Sequence, residues 1–232
     1  MPPALELDAV HAGYGDIDVL HGVDLAVAPG EVVALLGPNG AGKTTTLAVA
    51  SGQIRPRSGV VRMVGHDVTG TPADALARAG VCLIPEGRGI FPNLTVRENL
   101  RMVTYSGPSW AEVEERAYAR FPRLGERRNQ LAGTLSGGEQ QMLAMSRALA
   151  TEPALLLLDE LSMGLAPLIV EDLYQRVAEL AAEGLSILIV EQFAQAVLGV
   201  ADRAAVMLQG RIRRIGPPDE IADQLAATYL GG

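Results

Sequence analysis

Several residue types are scarce in this chain of 232 residues, and each scarcity closes off a class of chemistry. A single cysteine, Cys82, excludes an internal disulfide and leaves no cysteine cluster for zinc. It lies in the apolar run 81–84 and reads as a small core residue rather than a reactive thiol. The three histidines, His11, His21 and His66, show no metal-ligand spacing and read as ordinary surface or core side chains. Aromatics make up 4% of the residues against 48% hydrophobic overall, so the core must be built from Ala, Val, Leu and Ile. That composition suits a sheet covered by helices on both faces. A formal charge of −8 argues against a nucleic-acid partner, which would require a basic surface to displace counterions. No apolar run approaches the roughly 18 residues of a spanning helix, and residues 1–4 do not open a secretory signal. The expectation is a single soluble, intracellular α/β domain over 1–232.

The scarcest charge is the ammonium. Of 19 basic residues only Lys43 is a lysine; the rest are arginines. A surface charge would not require that exception, whereas a compact ammonium between phosphates would. Lys43 stands in Gly37-Pro38-Asn39-Gly40-Ala41-Gly42-Lys43-Thr44, which matches the phosphate-binding loop at every fixed position. An apolar strand is expected before it, at 31–36, and a helix after it, at 43–52. The glycines let backbone N–H groups converge on phosphate oxygens, and the helix N-terminus adds its positive end. The expected ATP site therefore runs from Gly37 through Thr45, with Lys43 on the terminal phosphates and the Thr44 hydroxyl on Mg²⁺. A glycine-rich turn that binds nothing is the plain alternative, and it does not account for the flanking strand and helix.

Elsewhere, alternating or apolar runs predict strands at 4–10, 23–28, 60–64 and 81–84, with a short helix opening at Pro72. From 85 to 150 the strand signals vanish. Helical patterns at 95–103, 109–121 and 138–150 predict a helical lobe inserted at 86–150. Its basic cluster, Arg120, Arg123, Arg127 and Arg128, reads as a solvated helix face, with a partner or lipid contact as the alternative. Continuous apolar runs at 154–158 and 186–190 suit central parallel strands, and a helix at 167–182 completes a βαβ unit between them. A hairpin at 203–208 and 211–215 and a helix from Pro218 follow.

Two carboxylates, Asp159 and Glu160, end the run 155–158. At the C-terminal edge of a parallel sheet they fall beside the phosphate loop. There Asp159 would hold Mg²⁺ through water and Glu160 would polarise the attacking water. Asp-Glu after a strand is also ordinary loop solvation; the phosphate loop is what gives this pair its meaning. Earlier in the chain, Leu135-Ser136-Gly137-Gly138-Glu139-Gln140-Gln141 opens a helix on two glycines. Bare N–H groups and a serine hydroxyl form an anion seat without lysine. Ser136 and Glu139 would equally form a capping box, but that reading gives no reason for adjacent glycines.

With this segment the chain resembles the ABC transporter ATPases, whose signature reads this way. The resemblance implies a RecA-like P-loop NTPase fold, an α/β domain with a parallel sheet core, an antiparallel β portion and the inserted helical lobe. It implies that Ser136, Gly137, Gly138 and Glu139 of one subunit close over ATP held by another, so that a second ATPase subunit, identical or not, completes the site. It places Tyr14 against adenine. Pro85-Glu86-Gly87-Arg88 with 91–100 resembles the loop that joins the nucleotide site to transmembrane permease subunits, with Glu86 where most relatives have Gln. Glu86 joins Thr44 and Asp159 as a candidate metal ligand. Val190-Glu191-Gln192 occupies the switch segment, with Gln192 where most have His. Both departures, with Ser162-Met163-Gly164-Leu165-Ala166-Pro167, are similar to the branched-chain amino acid importers and, within them, to the LivF-type subunit. Leu161 departs even from that subgroup, which usually has Pro there.

The function implied is MgATP hydrolysis that energises a membrane importer from the inner face of the cell membrane, with an external solute-binding protein engaged indirectly. Importers of urea, short amides or other small polar solutes share such ATPases and are the alternative. A weakly hydrolysing, nucleotide-gated subunit is a further reading, kept open by Gln192 and Leu161 and opposed by Glu160. The long coiled-coil insertion or second cassette of non-transport relatives is not present.

Overall fold

The computed structural model describes residues 1–87, 89–106 and 108–223. The chain opens with β1 (Leu5–Tyr14) and β2 (Ile17–Val27), followed by β3 (Val32–Leu36) and α1 (Lys43–Ala50). Next come β4 (Ser58–Met63), β5 (His66–Asp67), α2 (Ala73–Arg78) and β6 (Val81–Ile84). A helical stretch follows: α3 (Val96–Arg101), α4 (Trp110–Arg120), α5 (Pro122–Glu126) and α6 (Gly137–Leu149). The chain then runs through β7 (Leu155–Asp159), α7 (Pro167–Ala182), β8 (Ser186–Glu191), α8 (Ala194–Leu198), β9 (Arg203–Leu208) and β10 (Arg211–Gly216).

The strands form two sheets. One is antiparallel, in the order β2-β1-β4-β5; the other has six strands, in the order β10-β9-β3-β8-β7-β6. In the six-stranded sheet β6, β7, β8, β3 and β9 run parallel and β10 pairs antiparallel with β9. Strands β3, β7 and β8 are buried along their whole length, as their unbroken apolar runs require. Their alternating side chains feed two cores. Val32, Ala34, Leu36, Leu156, Leu158, Ile187 and Ile189 pack with the helical stretch and α7, whereas Val33, Leu35, Leu155, Leu157, Leu188 and Val190 pack with α1 and the antiparallel sheet. Each of the Val, Leu and Ile side chains among them, fully buried, contributes about 1.5–3 kcal/mol. The helices between β6 and β7 thus share one continuous core with a face of the sheet.

Strand β6, helix α7 and strand β9 lie on the expected residues. The first two strands are longer than expected because a bulge hides their alternation. The β1–β2 register shifts between Leu7 and Val10, where Ala9 takes φ 46. Strand β5 is a two-residue edge piece, and α5 and α8 are too short to show a period. The helix expected to reach 103 ends at Arg101 and continues as a 3₁₀ turn, Met102–Ser106. Residues 218–223 are helical; Arg88 and residues 224–232 lie outside the described residues. Within the basic cluster, Arg120 pairs with Glu183 at 2.8 Å and Arg127 with Glu139 at 2.9 Å.

Candidate active site

Strand β8 lies between β3 and β7, and the register pairs Leu36 with Glu191 and Val190 with Asp159. The segments after all three strands therefore meet along one edge of the sheet. At the first of them the chain turns through Gly37, where a Cβ would come within 2.3 Å of the Met207 carbonyl oxygen. Gly42 then caps α1 with φ 106, a left-handed value that glycine takes without a steric penalty. This turn sends Lys43 inward. Only 4% exposed, it donates from Nζ to the carbonyls of Gly37 at 2.9 Å and Pro38 at 3.2 Å. The same nitrogen stands 3.4 Å from Glu160 Oε1. The Thr44 hydroxyl donates to Asp159 Oδ1 at 3.3 Å, and Thr45 is buried beside it in α1. Tyr14, Thr44, Pro85 and Asp159 line one cleft of about 310 Å³, with Tyr14 half exposed at its wall.

Burial pushes the Asp159 carboxyl up to about 6; the negative charges of Glu160 and Glu86 add to this, while the Thr44 hydroxyl and Lys43 oppose it. The unfolded chain releases this proton near 3.8 and the folded chain near 6. Between those values the folded state holds the extra proton, so the stability it confers below pH 3.8 is lost as pH rises through 6. Relative to Asp159→Asn, the nucleotide-free protein should lose on the order of 2–3 kcal/mol between pH 4 and 7.5. Urea unfolding across that range measures the difference. Parallel profiles for the two proteins would show that Asp159 ionises normally.

Glu160 is held in the left-handed region, φ 47, a cost of about 1–2 kcal/mol for a non-glycine residue. Its N–H donates to the Val190 carbonyl at 2.9 Å. The next residue, Leu161, is fully buried in the core, and its carbonyl accepts from Gln141 Nε2 of α6 at 2.9 Å. Leucine at 161 thus gives up the rigid ring of proline and places a fully buried side chain in the core, while the carbonyl that accepts from Gln141 is one that either residue carries. Beyond it, Ser162 donates its N–H and hydroxyl to the Glu191 carboxylate, each at 2.9 Å, and the Tyr174 hydroxyl of α7 donates to the same group. Sequence reasoning passed over Gln141, Tyr174 and Glu191. A carboxylate closing an otherwise apolar strand was the available signal for the last of these.

At the start of α6 the capping box is present. The Glu139 carboxylate accepts from the Ser136 N–H at 2.9 Å and hydroxyl at 2.7 Å, and Ser136 Oγ accepts the Glu139 N–H at 3.4 Å. Burial pushes Glu139 up, but those hydrogen bonds with Arg127 and Arg123 outweigh it and hold the carboxyl below its usual range. The second glycine has a packing reason that the sequence did not show: a Cβ on Gly138 would lie 2.5 Å from Ile169 Cγ2 of α7. Ser136, Gly137, Gly138 and Glu139 do not line the cleft that holds Thr44 and Asp159. Glu86 is exposed but near enough to act on Asp159, and Gln192 is exposed just beyond β8. Among the described residues no group of three or more His, Cys, Asp or Glu is poised to hold a metal ion, and no helix is long and apolar enough to cross a membrane.

Residues 20–162 match the family described as ABC transporter. The chain belongs to that family. As an ABC transporter ATP-binding subunit it binds ATP and hydrolyses it in the service of transport. It is 44% identical to the high-affinity branched-chain amino acid transport ATP-binding protein BraG of Pseudomonas aeruginosa, over 98% of this chain and 100% of that one. A probable branched-chain amino acid transport ATP-binding protein, LivF of Archaeoglobus fulgidus, is 36% identical over 92% of each chain. The lipopolysaccharide export ATP-binding protein LptB of Acidithiobacillus ferridurans is 34% identical over 100% of this chain and 98% of its own. Among solved structures, the ADP conformation of an ATP-binding cassette superposes with a TM-score of 0.86 at 28% identity, covering 100% of both chains.

Proposed function

We propose that this ABC ATPase drives a branched-chain amino acid importer from the inner face of the cell membrane. The hydrolytic part of the reading rests on the approach of Lys43 to Glu160 at 3.4 Å, beside the Thr44–Asp159 pair. Backbone N–H groups of the loop 37–45, Pro38 having none, take phosphate oxygens, and Lys43 leaves Glu160 for the terminal phosphates. Glu160, released, orients the attacking water and accepts its proton. The Thr44 hydroxyl and the Asp159 carboxylate, with Glu86 nearby, are the hard oxygen donors that suit Mg²⁺, and these residues would hold it. The ion would supply positive charge that offsets the negative charge of the phosphates. Tyr14 offers its ring to adenine. Gln192 offers an amide N–H to the γ-phosphate and, unlike histidine, does not titrate near neutrality.

The signature residues Ser136, Gly137, Gly138 and Glu139 stand outside this chain's own cleft, so in this reading they serve the ATP of a second ATPase subunit. Residues 86–150 then act as a helical lobe that carries the signature and meets the transmembrane permease, while a solute-binding protein delivers cargo from outside. The names of BraG and LivF support branched-chain amino acids; the full-length likeness to LptB is the counterweight.

Reconstitution in liposomes with the permease and solute-binding proteins encoded beside it tests the cargo. Leucine, isoleucine and valine should stimulate ATP hydrolysis and accumulate inside. Stimulation by urea or acetamide instead, or by none of these solutes, would overturn the cargo and leave the ATPase reading intact.

A further inference from the structure

We propose that Glu191 is a positioning residue for the hydrolytic step: through a buried clamp on Ser162 it holds the backbone that presents Glu160. The inference rests on the assignment of Glu160 as the carboxylate that orients water. Glu191 closes β8 and is 1% exposed. Its Oε1 accepts the Ser162 N–H at 2.9 Å and the Tyr174 hydroxyl, and its Oε2 accepts the Ser162 hydroxyl at 2.9 Å. No ion pair involves Glu191 among the described residues. A buried carboxylate without a cation is costly, and only thorough hydrogen bonding offsets that cost. The three donors come from two other elements, the loop after β7 and helix α7, so one side chain ties both to the end of β8.

The loop it grips is the one under strain. Glu160 sits two residues before Ser162 with φ 47, and such a conformation persists only where the surroundings over-determine it. Contacts on three successive residues do so here: Glu160 N–H to Val190, Leu161 carbonyl to Gln141, and Ser162 to Glu191. The first is a backbone contact that nearly any residue at those positions would make. The Ser162 grip depends on the Glu191 side chain. Because Gln192 follows directly, the same side chain also fixes the start of the segment that carries that amide. Burial and the Glu191 charge both raise the Tyr174 hydroxyl pKa, so Tyr174 remains a donor.

The hydrogen-bond inventory separates geometry from charge. Glutamine at 191 can keep all three contacts: its carbonyl oxygen accepts from Ser162 N–H and Tyr174, and its amide donates to Ser162 Oγ. Alanine keeps none. In the assembled transporter, Glu191→Ala should lower kcat by about 10–100-fold, the scale of a misplaced reacting group, with ATP affinity by calorimetry within about threefold. Glu191→Gln should recover kcat to within about fivefold of the unmodified protein. Added to Glu160→Gln, Glu191→Ala should change the residual rate by less than about twofold, because residues that act as one unit are non-additive. Tyr174→Phe, which removes one donor, should lower kcat by about 3–10-fold and keeps the test readable if Glu191→Ala fails to fold.

An unchanged kcat in Glu191→Ala or Tyr174→Phe would overturn the proposal, as would a loss that multiplies in full on Glu160→Gln. So would a fall in ATP affinity that matches the fall in rate, the mark of a merely structural role. These results leave the Glu160 assignment standing so long as Glu160→Gln itself is slow. A normal rate in Glu160→Gln alone overturns that assignment and the clamp's function with it.

Discussion

Glu160→Gln should bind ATP with unchanged affinity and hydrolyse it about 10²–10⁴-fold more slowly, the share of a positioned acid–base group. Glutamine matches glutamate in size, and the backbone contacts that set the left-handed turn at 160 do not involve the side chain. What is lost is the ability to accept a proton from water. The contact with Lys43 loses its charge as well, but in the proposed mechanism Lys43 exchanges Glu160 for the phosphates, so binding is spared. With hydrolysis blocked, the closed ATP-bound dimer should accumulate. Single-turnover kinetics and gel filtration with ATP read the two effects. Full turnover in this variant would move the base elsewhere, with Glu86 the next carboxylate within reach of Asp159.

Lys43→Ala should weaken ATP binding by at least about 100-fold, close to 3 kcal/mol. The ammonium is buried, and its partners are two carbonyls and one carboxylate. In the ATP complex it is the only lysine available to the terminal phosphates. Lys43→Arg should not rescue binding, because a planar fork cannot occupy the space of a compact ammonium between the same carbonyls. Calorimetry with ATP decides the point. An affinity equal to that of the unmodified chain would place the phosphates somewhere other than this loop.

How much could be read beforehand varied with the type of signal. The phosphate loop and the Asp159–Glu160 pair were legible because fixed spacing and an apolar strand announce them, and the sheet order brings them together as expected. The last turns of β1 were not, because the bulge at Ala9 breaks the alternation on which strand reading depends. At the signature, the sequence showed a glycine pair but not Ile169, the side chain from another helix that leaves no room for a Cβ at 138. The Glu191 cluster was illegible for the same reason. Ser162, Tyr174 and Glu191 are 12 or more residues apart along the chain and meet only once β7, α7 and β8 are packed. Spacing rules see neighbours along one element; they do not see three elements converging on one side chain.

The solitary, buried lysine has a consequence in covalent chemistry. Among the side chains of this sequence, primary-amine reactivity is confined to one nitrogen, and that nitrogen lies at the phosphate loop. An acylating reagent that modifies a lysine side chain here has only one position to occupy, so any lysine acylation is located at residue 43. Phosphates seated over Lys43 would shield it from such a reagent. The extent of acylation, read as a single mass increment on one peptide, therefore reports nucleotide occupancy with no label introduced into the protein.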